Sequence, residues 1–185
     1  MGKVIAGMTV SFDGFINDKN GSVEKLYSDF GEIHDVSSFQ ETINNTGAVV
    51  MGKHAFEMGD PDSYAVAYEF QVPIFVLSHN PPNKHPKETD TLKFTFVTDG
   101  IESAISQAKQ AAGDKDIQLI GGASTFQQCL NAGLCDEIHV DVVPVLLGDG
   151  LKLFDNIDPD KIKLEKIRIE ETTSVRTGFI LKVVK

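Results

Sequence analysis

Eight short strand-like runs, most of them separated by segments of helical spacing, restrict this chain to a layered α/β fold. Runs rich in Val, Ile and Phe recur at 3–10, 48–51, 73–77, 93–97, 117–120 and 137–143. Between them, Ile33, Val36, Phe39, Gln40 and Ile43 keep a three-and-four period that stops before Gly47. Ile101, Ala104, Ile105, Ala108 and Ala111 repeat that period after Asp99-x-x-Glu102, which reads as a capping box. Phe126, Gln127 and Leu130 mark a third helix ending near Gly133. Apolar strands alternating with helices predict parallel central strands with helices on both faces of the sheet.

The last two runs, 163–169 and 175–184, have a different pattern. Val175, Thr177, Phe179, Leu181 and Val183 alternate with Arg176, Gly178, Ile180 and Lys182. That suits an antiparallel strand folding back on its predecessor around Thr172, Thr173 and Ser174. The expectation is a mostly parallel eight-stranded sheet with an antiparallel C-terminal strand. With 185 residues, 41% of them hydrophobic, the chain suits one domain over 1–185.

Two strand ends carry binding chemistry. In 117–130, a buried strand runs through Gly121 and Gly122 into a helix opening with Ala123, Ser124 and Thr125. Free amides at a helix start, with the positive end of its dipole, suit a phosphate, and paired glycines let a ligand approach the main chain. A ligand-free strand-to-helix connection has the same residue pattern. In 47–57, an apolar strand ends at Gly52 and is followed by Lys53 and His54, a cation beside a second set of amides. Two anion sites on two strands suggest a dinucleotide.

The formal charge of −10, from 27 acidic and 17 basic residues, argues against nucleic acid as a partner. Cys129 and Cys135 lack metal-type spacing and read as reduced packing residues, and the five histidines show no ligand spacing, so no metal site is expected. Lys3, Ser11, Asp13 and Asn17 interrupt the N-terminal apolar run. A soluble, cytoplasmic protein with no membrane partner is the expectation.

The order of the motifs resembles the dihydrofolate reductase-like superfamily, and more closely the reductase domain of the bifunctional riboflavin-biosynthesis deaminase-reductase and its stand-alone relatives. Residues 11–16, Ser-Phe-Asp-Gly-Phe-Ile, are similar to that group's Ser-x-Asp-Gly-x-Ile, and residues 51–57 to its Met-Gly-Arg-x-Thr-aromatic-Glu. Gly121-Gly122 matches its glycine turn, and Asp136-Glu137-Ile138 and 144–150 match its Asp-Glu-Leu and Pro-Val-Leu-Leu-Gly-x-Gly. The resemblance covers nearly the whole chain. It implies NADPH and hydride transfer to a small heterocyclic or ribosylaminopyrimidine substrate, as in 5-amino-6-(5-phosphoribosylamino)uracil reductase. The alternatives are dihydrofolate reductase proper and a non-catalytic NADP-binding protein.

By that resemblance Gly52, Lys53 and His54 hold cofactor phosphates, Ser78 and His79 lie near the adenosine 2′-phosphate, and Gly121, Gly122, Ala123, Ser124 and Thr125 cradle the pyrophosphate. The stretch 77–80 offers donors and no acid, which suits NADP over NAD. Lys53 and Ala55 depart from the group's arginine and threonine, and the chain lacks the tryptophan of the folate enzymes. Hydride transfer also needs a proton source. Asp13, beside Gly14, is one candidate; Asp141, within an apolar strand and with His139 as a possible partner, is the other. Each also reads as a structural carboxylate, in a turn or at a strand end. A homodimer joined through the C-terminal strands completes what the resemblance implies.

Overall fold

The computed structural model describes residues 2–184, and all eight predicted strands form. They are β1 (Val4–Ser11), β2 (Thr46–Gly52), β3 (Ile74–Leu77), β4 (Phe94–Val97), β5 (Asp116–Ile120), β6 (Glu137–Val143), β7 (Lys163–Glu171) and β8 (Thr177–Val184). One sheet contains them in the order β4-β3-β2-β5-β1-β6-β8-β7. Neighbours from β4 to β6 pair in parallel, while β8 is antiparallel to both β6 and β7. The antiparallel strand is therefore inserted between two others, and β7 takes the edge.

The helices are α1 (Phe30–Ile33), α2 (Ser37–Asn45), α3 (Lys53–Phe56), α4 (Tyr64–Ala67), α5 (Ile101–Ala112) and α6 (Ala123–Asn131). On one face α5 and α6 pack Ile105, Ala108, Phe126 and Leu130 against Val4, Val50, Leu119 and Ile138. The alanines of α5 let that helix lie close to the strands. On the other face Phe56, Tyr64, Phe70 and the partly buried Phe39 and Ile43 cover Val49, Ile74 and Val76. Helices on both faces follow from strands with two buried sides, as the sequence predicts.

Two local expectations fail for backbone reasons. The helix predicted across 33–43 is broken, because Val36 is extended at φ −74° and ψ 122°. The Gln40 amide donates to the His34 carbonyl at 2.8 Å, and the break turns Phe30, His34 and Phe39 into successive edge-on contacts. The capping box at Asp99 and Glu102 does not form: Gly100, at φ 108°, occupies the N-cap of α5 and no side chain caps it.

A β-bulge decides which way β7 faces. Leu164 and Lys166 lie opposite Val183 and Leu181, on the side of α5 and α6, but after the bulge Arg168 and Glu170 lie opposite Ile180 and Gly178. One extra residue, Ile167, shifts the alternation by one and turns Arg168 and Glu170 to the other face.

Candidate active site

Parallel strands end together, so their carboxyl ends form a rim. Gly52 pairs with Leu77 across β2 and β3, while Val50 pairs with Leu119 across β2 and β5. These registers set the Gly52-Lys53 turn between Ser78 and the Gly121-Gly122 turn. Gly121 and Gly122 have φ of 78° and 83°, a region that side chains disfavour. A Cβ on Gly121 would lie 2.5 Å from that of Ala55, and one on Gly52 would lie 2.6 Å from the Thr125 hydroxyl. The two glycine turns are thus held in direct contact.

The predicted anion-binding residues are only partly brought together. Lys53 opens the single-turn α3, half-exposed, with its ammonium 3.7 Å from Glu57, and His54 is exposed beside it. Ala123, Ser124 and Thr125 form the first turn of α6, whose amides have no intrahelical acceptor. Thr125 is buried against Gly52, and the Ser124 hydroxyl accepts from Gln128 at 3.0 Å. Ser78 is buried; it donates to the Asn80 carbonyl at 2.5 Å and accepts from the Asn80 amide at 3.2 Å, which leaves the exposed His79 as the outward donor of that pair.

From this rim a cleft of about 390 Å³ crosses the sheet, from Met51, Ala55 and Gly121 to Thr172 and Arg176. Its floor consists of two strand-to-strand rows. Ile120, Gly7, His139, Ile180 and Arg168 lie side by side in register, and Thr9, Asp141, Gly178 and Glu170 form the next row. A Cβ built on Gly7 meets nothing within 4 Å, so that glycine leaves the floor open at its centre. Gly178 is different: its space is filled by Thr172, Asp141 and Glu170.

One wall is aromatic. Tyr27, Phe30, His34, Phe39, Phe70, Tyr68 and Tyr64 follow one another with ring centroids 4.8–6.4 Å apart, most of them edge-on. Tyr64 donates to the Phe56 carbonyl, and burial pushes its hydroxyl up to about 12. The Tyr68 hydroxyl is buried too, which raises it well above the usual value, and it has no hydrogen-bond partner among the described residues.

The far end is closed by an ion-pair clamp. Arg176, 2% exposed, donates Nε and Nη2 to the two carboxylate oxygens of Asp29 at 2.7 and 2.5 Å. Nη2 also reaches the Leu26 carbonyl at 3.2 Å, while Nη1 donates to Thr9 at 3.1 Å and lies 3.5 Å from Asp141. Thr173 donates to Asp29 as well. The Arg176 hydrogen bonds hold Asp29 at about 2 although burial opposes its ionisation. Burial also disfavours the guanidinium charge, but Asp29 outweighs it and keeps Arg176 above its usual range.

The structure separates the two proton-source candidates. Asp141 lines the cleft, accepting from the Thr172 hydroxyl at 3.0 Å, so its pairing comes from Thr172 and Arg176. His139 lies next to it on the floor but contacts Glu137 at 3.1 Å. Asp13 is absent from the cleft lining. Its carboxylate accepts from the Ser11 hydroxyl at 2.6 Å and from the amides of Leu147 and Gly148 at 3.1 and 2.8 Å, tying the first loop to the 144–150 loop. The Ser11 bond, followed by the loop amides, lowers its pKa. Asp29, Arg176, Thr9 and Glu170 were not visible as site residues. In sequence, the hint was an arginine just before β8, on the same alternation as Gly178 and Ile180.

No group of three or more His, Cys, Asp or Glu suited to a metal occurs among the described residues, and none of their helices is long and apolar enough to cross a membrane. Cys129 and Cys135 are buried and unbridged.

Comparison with known proteins gives the same fold. The family model described as RibD C-terminal domain matches residues 2–179. The protein YyaP of Bacillus subtilis (strain 168), itself uncharacterised, is 27% identical over 184 residues, covering 93% of this chain and 90% of its own. A protein of Shewanella sp. PV-4 provisionally assigned to riboflavin biosynthesis superposes with a TM-score of 0.77 at 23% identity, over 99% of both chains. The diaminohydroxyphosphoribosylaminopyrimidine deaminase/5-amino-6-(5-phosphoribosylamino)uracil reductase of Thermotoga maritima gives 0.65 at 13% identity, over 99% of this chain and 57% of that one. Dihydrofolate reductase from Enterococcus faecalis, complexed with NADP(H) and RAB-propyl, gives 0.59 at 15% identity, over 99% and 97%. The fold is that of the dihydrofolate reductases.

Proposed function

Because this chain belongs to the RibD C-terminal domain family, we propose that it is an NADPH-dependent reductase of a small heterocycle held in the cleft. One observation carries the reading: a single cavity runs from Gly121 and Ala55 at the edge of the glycine rim, past the open floor at Gly7, to Asp141. A coenzyme held at the rim and a substrate held at the far end would share it.

The rim residues fit the coenzyme. The positive-φ turn at Gly121 and Gly122 leads into the unpaired first-turn amides of α6, and Lys53, His54 and His79 add exposed donors around it. NADPH bound there supplies the hydride. Lys53 would hold phosphate charge, and the contact of Gly52 and Gly121 with Thr125 and Ala55 fixes the spacing of the two turns. Asp141 is the carboxylate available to position a proton-bearing group of the substrate or a water, with Thr172 and Arg176 orienting it. The aromatic wall keeps bulk water from the ring being reduced. In this reading Asp13 serves the loop and not the proton.

Isothermal titration with NADPH and NADH tests the coenzyme half. Wild type should prefer NADPH, and Lys53→Ala should weaken NADPH about tenfold, more than NADH, through loss of a charge-assisted contact. Equal weakening of both would move Lys53 away from the 2′-phosphate. No NADPH binding at saturating concentration would end the reductase reading.

A further inference from the structure

At the far end of the cleft each cation is already paired with a carboxylate, which leaves little positive charge for a phosphorylated substrate. The lining there has two carboxylates, Asp141 and Glu170, and two guanidiniums, Arg168 and Arg176. Arg176 has five N–H donors, and Asp29, Leu26, Thr9 and Asp141 take up the directions in which they point. Arg168 donates through Nε to Glu170 at 2.8 Å. A phosphate monoester brings a charge of about −1.5 to −2. Here it would meet acidic neighbours, with the one buried cation already saturated.

Acceptors, by contrast, are available. Asp141 accepts one hydrogen bond on Oδ1, while Oδ2 has only the 3.5 Å approach of Arg176. Glu170 uses one oxygen for Arg168, and the register sets it two strands away from Asp141, with Gly178 between them. A carboxylate oxygen has more than one acceptor direction. The two acids therefore offer a strip of hydrogen-bond acceptors along one edge of the floor. At the same end of the cleft the aromatic wall presents Tyr27, whose ring centroid lies 5.6 Å from the Arg176 guanidinium, and Phe30 edge-on beside it.

We infer that the substrate is a flat, phosphate-free heterocycle that presents N–H donors to Asp141 and Glu170 and lays its ring against the aromatic wall at Tyr27 and Phe30. This narrows the substrate of the proposed reductase and rests on that reading for its setting. It separates this chain's ligand from the phosphoribosylamino compound named for the Thermotoga maritima neighbour. The two carboxylates select for donors and against anions; the wall selects for planarity.

The test is a binding measurement that requires no turnover. 6-Hydroxymethylpterin and its phosphate ester share one ring with a donor-bearing edge and differ only in the phosphate. The second pair is 5-amino-6-(5-phosphoribosylamino)uracil and its dephosphorylated form. Each is titrated calorimetrically into the protein, with and without saturating NADPH. At least one phosphate-free compound should bind about tenfold or more tightly than its ester, as like charge at close range predicts.

Asp141→Asn should weaken that compound about tenfold or more, the scale of a charge-assisted hydrogen bond. Glu170→Gln should move the ratio toward the ester by severalfold, because it frees Arg168, a gain that a misfolded variant would not show. Phe30→Ala should weaken the ring severalfold while the melting temperature changes little, because that side chain is largely exposed. Equal or tighter binding of both esters, or binding of none of the four to a protein that binds NADPH, would overturn the inference and leave the reductase reading intact. Preference for the phosphate-free ring without any NADPH binding would uphold the ring site and remove the reductase reading.

Discussion

Asp29→Asn would leave the Arg176 guanidinium buried without its counter-charge, which should destabilise the protein by about 3–5 kcal/mol, read as a lower midpoint in urea. The same pair sets an acid limit. The folded carboxyl, at about 2, lies below its ordinary 3.8. Its contribution is therefore complete above about pH 4 and is lost as pH falls through about 2, roughly 2 kcal/mol in all. Acid titration of unfolding in wild type and in Asp29→Asn checks this, since the variant should lack that part of the slope. At this scale the sequence was only partly legible. Lys53, Gly121 and Asp141 stand out by local pattern, and Asp141 does line the cleft. The clamp had no local pattern, because Asp29 and Arg176 are 147 positions apart and only the closed sheet brings them together. Asp13 is a candidate because it follows a strand and precedes a glycine, and the structure places its carboxylate where it joins two loops.

Elements were more legible than residues, since period and punctuation are local. All eight strands and the helices α5 and α6 fall where their spacing puts them. The misses are single-residue events, the extended Val36 and the N-cap Gly100, which no average over a window detects. The bulge at Ile167 is another, and it leads to a prediction. Deleting Ile167 removes the unpaired residue but leaves Arg168 and Glu170 opposite Ile180 and Gly178, so they should still face the floor and the cleft ligand should still bind in titration calorimetry, whereas an alanine inserted after Ile167 should shift the register and lower that binding. Gly7 gives the converse case. Gly7→Ala should stabilise the strand by about 0.5–1 kcal/mol, because glycine there is entropically costly and the new methyl meets no atom. It should also weaken the cleft ligand, because that methyl occupies the floor. A melting temperature that rises as affinity falls is the expected pair of readings.

For the whole molecule, the sequence predicted the layers and the antiparallel finish but not the insertion of β8 between β6 and β7, because alternation reports the faces of a strand and says nothing about its neighbours. That insertion leaves β7 as an open edge with Leu164, Ile167 and Ile169 exposed. We propose that this edge joins two copies of the chain, and light scattering at micromolar concentration should give twice the chain mass. A monomer there would reject the dimer. The placement of Arg176 also affects the order of assembly. During vectorial synthesis Asp29 emerges early, and a nascent chain must keep that carboxylate hydrated until the segment carrying Arg176 has been made. Late closure of so long a loop is slow, and until it happens the neighbouring aromatic residues lack the anchor that sets them over the sheet. Damage to the C-terminal hairpin should therefore show first as chaperone dependence and low yield in cells, before any assay of catalysis is attempted.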